Sequence, residues 1–260
     1  MSATPLILVC DDAGFESVDR GIRTLVEHTG QPVSAEYMIE QEGAAERARA
    51  IAEIGLVSRG LHFELMNISD ADRFRLGKEL LAGGQFLGEL AQIQQRGTAD
   101  ARKQLRMFQD TQGINPAHIS THGNFNTDAH GRVLPWWKDL MEEMFDGQVP
   151  PMQLDIPHVR HNLYSWNVPP TERPPRNEEE FSDQLALADL KGHAAEFVMH
   201  PALVRPGDAD LQMLFTAEMR QRDLWSAIRL INSGVIERAG FAIVPVDTLH
   251  TSDAQLEKAA

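Results

Sequence analysis

Two adjacent acids follow the first apolar segment of the chain and are the first candidates for chemistry. Asp11 and Asp12 come directly after the run Pro5–Cys10, and Ala13 and Gly14 then allow the backbone to turn. An unbroken apolar run predicts a strand that is buried on both faces, as in a parallel sheet. Open α/β folds and (β/α) barrels carry their chemistry at the carboxyl ends of such strands. The pair therefore predicts a carboxylate site, although two solvated acids in a loop would give the same local pattern.

Three histidines lie at or near the ends of other predicted strands. One carboxylate and two histidines form a common ligand set for a divalent metal ion, with positions left for water and substrate. Such an ion lowers the pKa of its water and polarises a carbonyl group, as amide hydrolysis requires. Asp12, His62 and His122 would bind the metal. Asp11 could then take the proton of the water, and His200 could protonate the leaving amine.

Other residues near these positions are open to two interpretations. Glu64 lies on the same face of its strand as the histidine two residues before it, and we interpret it as a substrate contact rather than an acid at the rim. His118 stands at the start of its strand, the wrong end of a barrel for catalysis, which predicts a structural role. Tyr164 and Trp166 could stack on a sugar ring, but they could equally anchor a long loop.

Strand and helix patterns alternate along the chain and determine where these residues lie. The predicted strands are 5–10, 32–38, 56–65, 116–121, 195–200 and 240–246. The predicted helices are 16–28, 44–54, 87–112 with a break at Gly97, 133–144, 178–190 and 215–233, with a shorter one at 76–81. The proline-rich stretch 147–177 predicts a long ordered loop over one rim, and the residues after 251 predict a frayed tail.

This alternation predicts an α/β fold with a parallel sheet. About six or seven parallel strands favour an incomplete or distorted TIM-type (β/α) barrel over a complete eightfold one. A chain of 260 residues fits one domain, here residues 1–260.

Composition and charge argue against several partners and kinds of site. The net charge of −14 argues against nucleic acid, which favours a basic surface. Cys10 is the single cysteine, so neither an intrachain disulfide nor a thiolate metal cage is expected. No signal peptide and no run approaching roughly 18 apolar residues is found, which predicts a cytoplasmic protein with no membrane partner. Base rates favour a homodimer if the chain assembles at all.

Four short motifs follow one another in a specific order. They span Asp11–Ile22, Gly60–Leu65, Pro116–Asn126 and Glu196–Ala202. In these motifs the chain resembles the YdjC-like carbohydrate deacetylases, which include chitooligosaccharide deacetylases. The corresponding family patterns are Asp-Asp-Phe-Gly with Val-Asn-x-Gly-Ile, Gly-Leu-His-Leu-Asn-Leu, Pro-x-His-Ile-Asp-Ser-His-x-His-x-His and Glu-x-x-x-His-Pro-Gly. The resemblance extends over nearly the whole chain.

The resemblance implies a (β/α) barrel-like fold and metal-dependent removal of an N-acetyl group from an amino sugar. It implies that Asp12, His62 and His122 bind the ion, that Asp11 is the base, and that His200 lies near the leaving group. In the family the ion is Mg or Zn, whereas an Asp-His-His set by itself suits Zn, Co and Mn and, less naturally, Mg. We therefore expect one divalent ion, Zn or Mg, with Co or Mn as alternatives.

The chain departs from the family pattern around the expected substrate. Ala13 replaces phenylalanine, Glu64 replaces asparagine, and Asn124 and Asn126 replace the two later histidines of the third motif. The expected metal ligands survive these changes. We therefore expect Glu64, Asn124 and Asn126 to contact the substrate, a small N-acetylated sugar that need not be chitobiose.

Three alternatives to this deacetylase remain. A hydrolase of another N-acyl compound would use the same site. A catalytically silent sugar-binding or regulatory relative would be consistent with the lost histidines, although Asp11 and His200 are retained. A metal-dependent sugar isomerase or aldolase is disfavoured, because none of the predicted strand ends carries a lysine.

Overall fold

The computed structural model describes residues 3–64, 87–121, 135–152, 158–161, 177–189, 194–205, 208 and 217–249. Within these ranges the strands are β1 Thr4–Ala13, β2 Val33–Tyr37, β3 Val57–Phe63, β4 Ile119–Thr121, β5 His158–His161, β6 Ala195–Met199 and β7 Phe241–Ile243. The helices are α1 Glu16–Thr29, α2 Ala44–Ala52, α3 Leu87–Gln112, α4 Pro135–Met144, α5 Glu178–Asp189, α6 Ala217–Asn232 and α7 Val235–Arg238.

The strands form one parallel sheet of seven strands in the order β4-β3-β2-β1-β6-β5, with β7 paired to the start of β1. The sheet is curled. This is shown by His118, directly before β4, which contacts Glu36 of β2 and Glu196 of β6 across one face of the sheet. The predicted incomplete barrel is therefore confirmed. No helix within the described part of the chain is long and apolar enough to cross a bilayer.

Alternate residues of β1 belong to two different cores. Leu6, Leu8 and Cys10 pack with the helices in the largest hydrophobic cluster. Ile7 and Val9 instead join a small cluster on the concave face, together with Val198, Val246 and Leu249. Because side chains of a strand alternate between its faces, Asp11 continues the concave row of Ile7 and Val9. The central strand thus carries its acid to the inside of the half-barrel.

Helix α1 has the bounds that its periodicity predicts to within one residue. Its apolar positions are buried, and Gly30 ends it in the left-handed conformation with φ of 63°, donating its N–H to the carbonyl of Val26. Glycine suits this position because it carries no Cβ to clash there.

Two local predictions are wrong. Helix α3 continues through Gly97 without a break; a glycine inside a helix costs only about 1 kcal/mol, and Leu105 and Phe108 of the same helix are buried in the core. The stretch 147–177 is not loop throughout, since it contains β5, which pairs with β6. Its sequence His-Val-Arg-His has no apolar run to indicate a strand. The predicted helix 76–81 and the tail after 251 lie outside the described residues.

Candidate active site

Two buried carboxylates lie together at the carboxyl end of β1. Asp12 has a φ of 58°, unusual for a residue other than glycine, and the pairing of β1 with β2 shifts register between Cys10 and Ala13. Such an irregularity re-aims side chains. As a result, consecutive residues that would otherwise point to opposite faces both reach the same site, and Asp11 and Asp12 are 5% and 3% exposed.

His62, the last inward-facing residue of β3, contacts both acids. Its Nε2 atom lies 3.4 Å from Oδ1 of Asp12, and its Nδ1 atom lies 3.9 Å from Oδ1 of Asp11. Nδ1 is also 2.6 Å from the hydroxyl oxygen of Ser120 on the neighbouring strand β4. The contact with Ser120 fixes the ring orientation and leaves Nε2 directed toward Asp12.

The contact between Asp12 and His62 fits a shared metal ion. Two ligands that each bind Zn²⁺ at about 2.0–2.2 Å in a tetrahedron are separated by about 3.3–3.5 Å, which matches the 3.4 Å between Oδ1 and Nε2. Ligating histidines also generally have a hydrogen-bond partner on the second ring nitrogen, and Ser120 is in that position. Within the described ranges no three histidine, cysteine or acidic side chains complete a metal site, and the predicted third ligand His122 lies outside them.

His200 directly follows β6 and faces both carboxylates. Its Nε2 atom lies 3.9 Å from Oδ2 of Asp11 and 3.9 Å from Oδ2 of Asp12. Burial lowers the pKa of the His200 imidazole, although Asp12 and Asp11 oppose this shift. The loop that begins at His200 packs closely on α1. A Cβ atom at Gly21 of this helix would lie 2.7 Å from the carbonyl of Pro201. Gly21 therefore permits the close approach that brings His200 to the site.

Arg220 of α6 is a member of the site that the sequence analysis missed. Its guanidinium Nη2 donates to Oδ2 of Asp12 at 2.9 Å, and the residue is 6% exposed. The arginine lies on a helix 208 residues away from its partner, so no local pattern indicates the contact. Arg220 compensates one of the two negative charges. Because it also occupies Oδ2 of Asp12, a metal ion would be coordinated by Oδ1 of that residue.

A second arginine supports the turn after the two acids, and it too was missed. Asp19 of α1 accepts the backbone N–H of Gly14 at 3.0 Å. Its other carboxylate oxygen accepts Nε of Arg47 at 2.8 Å, and Nη2 of Arg47 donates to the carbonyl of Gly14. Both polar groups of Gly14 are therefore held, which fixes the direction in which the chain leaves Asp12.

The remaining predicted site residues are Glu64 and four residues that the structure does not describe. Glu64 follows β3, where its backbone N–H donates to Oε1 of Gln104 at 2.9 Å and its carboxylate accepts Nε2 of Gln41 at 3.4 Å. The predicted substrate contacts Asn124, Asn126, Tyr164 and Trp166 lie outside the described residues. Their roles, like that of Glu64, stay predictions.

Replacing Arg220 by glutamine is expected to lower the free energy of unfolding by about 1.5–3 kcal/mol, the contribution typical of a hydrogen bond to a charged group. Asp12 would keep His62 as a neighbour but would lose its guanidinium. Urea unfolding followed by circular dichroism measures the change. Arg222→Gln, on an exposed turn of the same helix, is the control and should change the value by less than about 0.5 kcal/mol. Equal effects of the two substitutions would contradict the contact.

Comparison with known proteins gives one family and a set of similar folds. The model of the family described as YdjC-like protein matches residues 5–227. A proposed cellobiose-phosphate cleavage protein from Enterococcus faecalis has a TM-score of 0.60 at 18% identity, covering 95% of this chain and 99% of that one. The peptidoglycan deacetylase PdaC from Bacillus subtilis has a TM-score of 0.52 at 12% identity, covering 98% and 94%.

A third similar structure is a mutant of a CE4-family pseudoenzyme with restored enzymatic activity. Its TM-score is 0.52 at 10% identity, and the match covers 96% of this chain and 72% of that one. The comparison with curated proteins found no match. At these identities the structural similarities concern the fold.

Proposed function

Because the chain belongs to the YdjC-like protein family, we propose that it is a metal-dependent hydrolase that removes an N-acetyl group from an amino sugar or an N-acetylated glycoconjugate. The observation that carries this proposal is the convergence of Asp11, Asp12, His62 and His200 at the carboxyl end of a parallel sheet. The set includes two carboxylates in different surroundings, which is the usual basis for giving one a proton-transfer role.

Asp12 and His62 are the described residues that would hold the ion, with His122 as the proposed third ligand. Oδ1 of Asp12 and Nε2 of His62 are at a separation that suits two ligands of one ion. When bound, a divalent ion would lower the pKa of a water molecule and polarise the acetamide carbonyl. Zn or Mg is the proposed ion, with Co or Mn as alternatives.

Asp11 and His200 would move the protons. Oδ2 of Asp11 is the proposed acceptor for a proton of the attacking water. Nε2 of His200 lies 3.9 Å from that oxygen and would deliver a proton to the departing amine. Ser120 would hold the ring of His62 in orientation through Nδ1.

Two proteins with a similar fold support a carbohydrate as the substrate class. One is a peptidoglycan deacetylase and another is a proposed cellobiose-phosphate cleavage protein, so we propose a carbohydrate. Glu64, Asn124, Asn126, Tyr164 and Trp166 are kept as proposed substrate contacts. Because Glu64 and the two asparagines are departures from the family pattern, the sugar need not be chitobiose.

Acetate release tests this function. The protein is stripped of metal, reloaded separately with Zn, Co, Mn or Mg, and incubated with N-acetylglucosamine and short chitooligosaccharides. We expect acetate only after reloading, and loss of bound metal in Asp12→Asn but not in the control Glu53→Gln, an exposed acid on the turn after α2. Acetate release that does not depend on metal would overturn the mechanism.

A catalytically silent carbohydrate-binding relative is the second candidate, since a CE4-family pseudoenzyme shares the fold. Absence of both acetate and bound metal, with saturable binding of chitooligosaccharides, would favour it. One equivalent of bound metal without acetate would instead indicate a hydrolase of another N-acyl compound.

A further inference from the structure

A second group of buried polar side chains lies on the concave face, next to the site but outside the proposed chemistry. Glu36 of β2, His118 directly before β4 and Glu196 of β6 are each 0% exposed. Nε2 of His118 lies 2.6 Å from Oε1 of Glu196, and Nδ1 lies 3.0 Å from Oε1 of Glu36. The hydroxyl of Ser34 also donates to Oε1 of Glu36 at 2.7 Å. One imidazole therefore lies between two carboxylates.

The two contacts favour a charged ring. A neutral imidazole carries one N–H, so only the imidazolium can present a proton to both carboxylates. Burial disfavours that charge, but Glu36 and Glu196 outweigh it and hold the pKa of His118 well above its ordinary value. A buried imidazolium between two acids is consistent with the rule that buried charges are paired.

These contacts span the open side of the half-barrel. Three strands separate β4 from β6 in the sheet, and at about 4.8 Å between neighbouring strands the two would lie about 19 Å apart if the sheet were flat. His118 and Glu196 are joined by a single 2.6 Å contact, which a histidine and a glutamate cannot make over that distance. The contact therefore exists only in the curled sheet, and it holds the two sides of the concave face together.

Two members of the group precede a site residue on the same face of their strands. His118 is two residues before Ser120, which contacts His62. Glu196 is four residues before His200. Because side chains on one face of a strand recur every two residues, the group lies below the site on the same face of the sheet.

The carboxylate of Glu36 contacts the backbone of β3 at Gly60. A Cβ atom at Gly60 would lie 2.2 Å from both carboxylate oxygens of Glu36, so the carboxylate packs directly against β3. Gly60 is two residues before His62. Only glycine leaves room for this contact. Through it the group contacts β3, in addition to β2 and β6 and the residue before β4, where its own members lie. The remaining strand of the site, β1, lies between β2 and β6.

We propose that Glu36, His118 and Glu196 form a charged brace that sets the separation of His62 and His200 across the concave face. This role rests on the proposed function, because that function needs the two histidines on opposite sides of one substrate. The three residues are positioning residues, since none of them touches the reacting groups. Displacement of a catalytic group by about 1 Å costs on the order of 10²-fold in rate, so a weakened brace should reduce turnover without removing any site residue.

Glu196→Gln tests the brace while keeping the shape of the side chain. We expect kcat for acetate release to fall by about 10- to 100-fold, with KM and the metal content per folded chain unchanged. The matched control is Gln112→Ala, because Gln112 accepts from Arg59 at 2.8 Å and donates to the carbonyl of Ala45 at 3.0 Å on the helix-covered face of the sheet. Its removal should lower the free energy of unfolding and leave kcat unchanged. Equal kcat in both variants and the wild type would overturn the brace.

A second measurement needs no catalysis. Two-bond ¹H–¹⁵N spectra of the metal-free protein report the protonation and surroundings of each histidine ring. We expect His118 to be doubly protonated at pH 7.5, and the ring signals of His62 and His200 to shift in Glu36→Gln and Glu196→Gln but not in Gln112→Ala. A neutral His118 in the wild type would overturn the brace even if neither variant folds. If the wild type releases no acetate, the proposed function fails, and these ring signals still decide on the brace.

Discussion

Asp11→Asn is expected to lower kcat for acetate release by about 10²- to 10⁴-fold while the fold and the bound metal are retained. The amide has the size of the carboxylate but cannot accept a proton. Asp11 is buried at the end of β1, with Oδ2 3.9 Å from Nε2 of His200 and Oδ1 3.9 Å from Nδ1 of His62. Loss of its charge removes the proposed base from a site whose other members stay in position.

The two acids can be distinguished by one pair of measurements. Steady-state kinetics and metal content are compared for Asp11→Asn, Asp12→Asn and the exposed control Glu53→Gln. Asp11→Asn should keep one equivalent of metal and lose turnover, whereas Asp12→Asn should lose both. Undiminished turnover in Asp11→Asn would exclude it as the base, and loss of metal in that variant would make it a ligand instead.

The part of the site that sequence could predict is the part that depends on strand ends. The unbroken apolar run of β1 predicted a buried parallel strand, and parallel strands bring their carboxyl ends to one edge. Asp11, Asp12, His62 and His200 therefore meet although they are far apart in the chain. That inference needs only the identity of the strands, which hydrophobic pattern determines well.

The contacts that sequence could not predict depend on how far the sheet curls and on which helix covers its end. Arg220 belongs to a helix whose pattern shows only which side is apolar, so its contact with Asp12 has no local signal. His118 was expected to be structural from its position, but its partners Glu36 and Glu196 become neighbours only across the concave face. Glu36 was visible as an acid within an apolar strand, and a buried acid there is a signal for a buried partner.

His118→Leu is expected to lower the free energy of unfolding by about 3–5 kcal/mol, the usual cost of removing one partner from a buried ionic group. The substitution leaves Glu36 and Glu196 without the cation between them. Urea unfolding at pH 7.5 measures the loss. His28→Leu is the matched control, since His28 is exposed on α1 and donates Nδ1–H to the carbonyl of Thr24 at 2.8 Å; it should cost less than about 1 kcal/mol.

The stability that His118 contributes is also expected to fall as the pH rises. Its pKa in the folded chain is raised well above 6.5, so above pH 6.5 the folded chain keeps a proton that the unfolded chain releases. The contribution is complete below about pH 6.5 and is lost as the pH rises through the folded pKa, with a slope of up to about 1.4 kcal/mol per pH unit.

Other shifted groups define the pH range in which this slope is to be measured. Burial raises the pKa of Glu196, with Glu36 and Asp11 adding to the shift and His118 opposing it. Its contribution to the free energy of unfolding therefore also decreases as the pH rises above about 4.5. The lowered pKa of His200 makes the free energy of unfolding increase with pH, but only below about pH 6.5. Burial raises the pKa of Cys10, whose ordinary value is 9.0, so its contribution begins above the range from pH 6.5 to 8.5.

Urea unfolding of the wild type between pH 6.5 and 8.5 therefore measures the slope to which His118 and Glu196 contribute with the same sign, without the contributions of His200 and Cys10. The control is the double substitution Glu36→Gln and Glu196→Gln, which keeps the shapes of both side chains but removes the charges that raise the pKa of His118. In the wild type the free energy of unfolding should decrease steadily across this range, whereas in the double variant it should stay level. A level wild-type curve would mean that the ring between the two carboxylates is neutral in the folded chain, and the brace would then carry no positive charge.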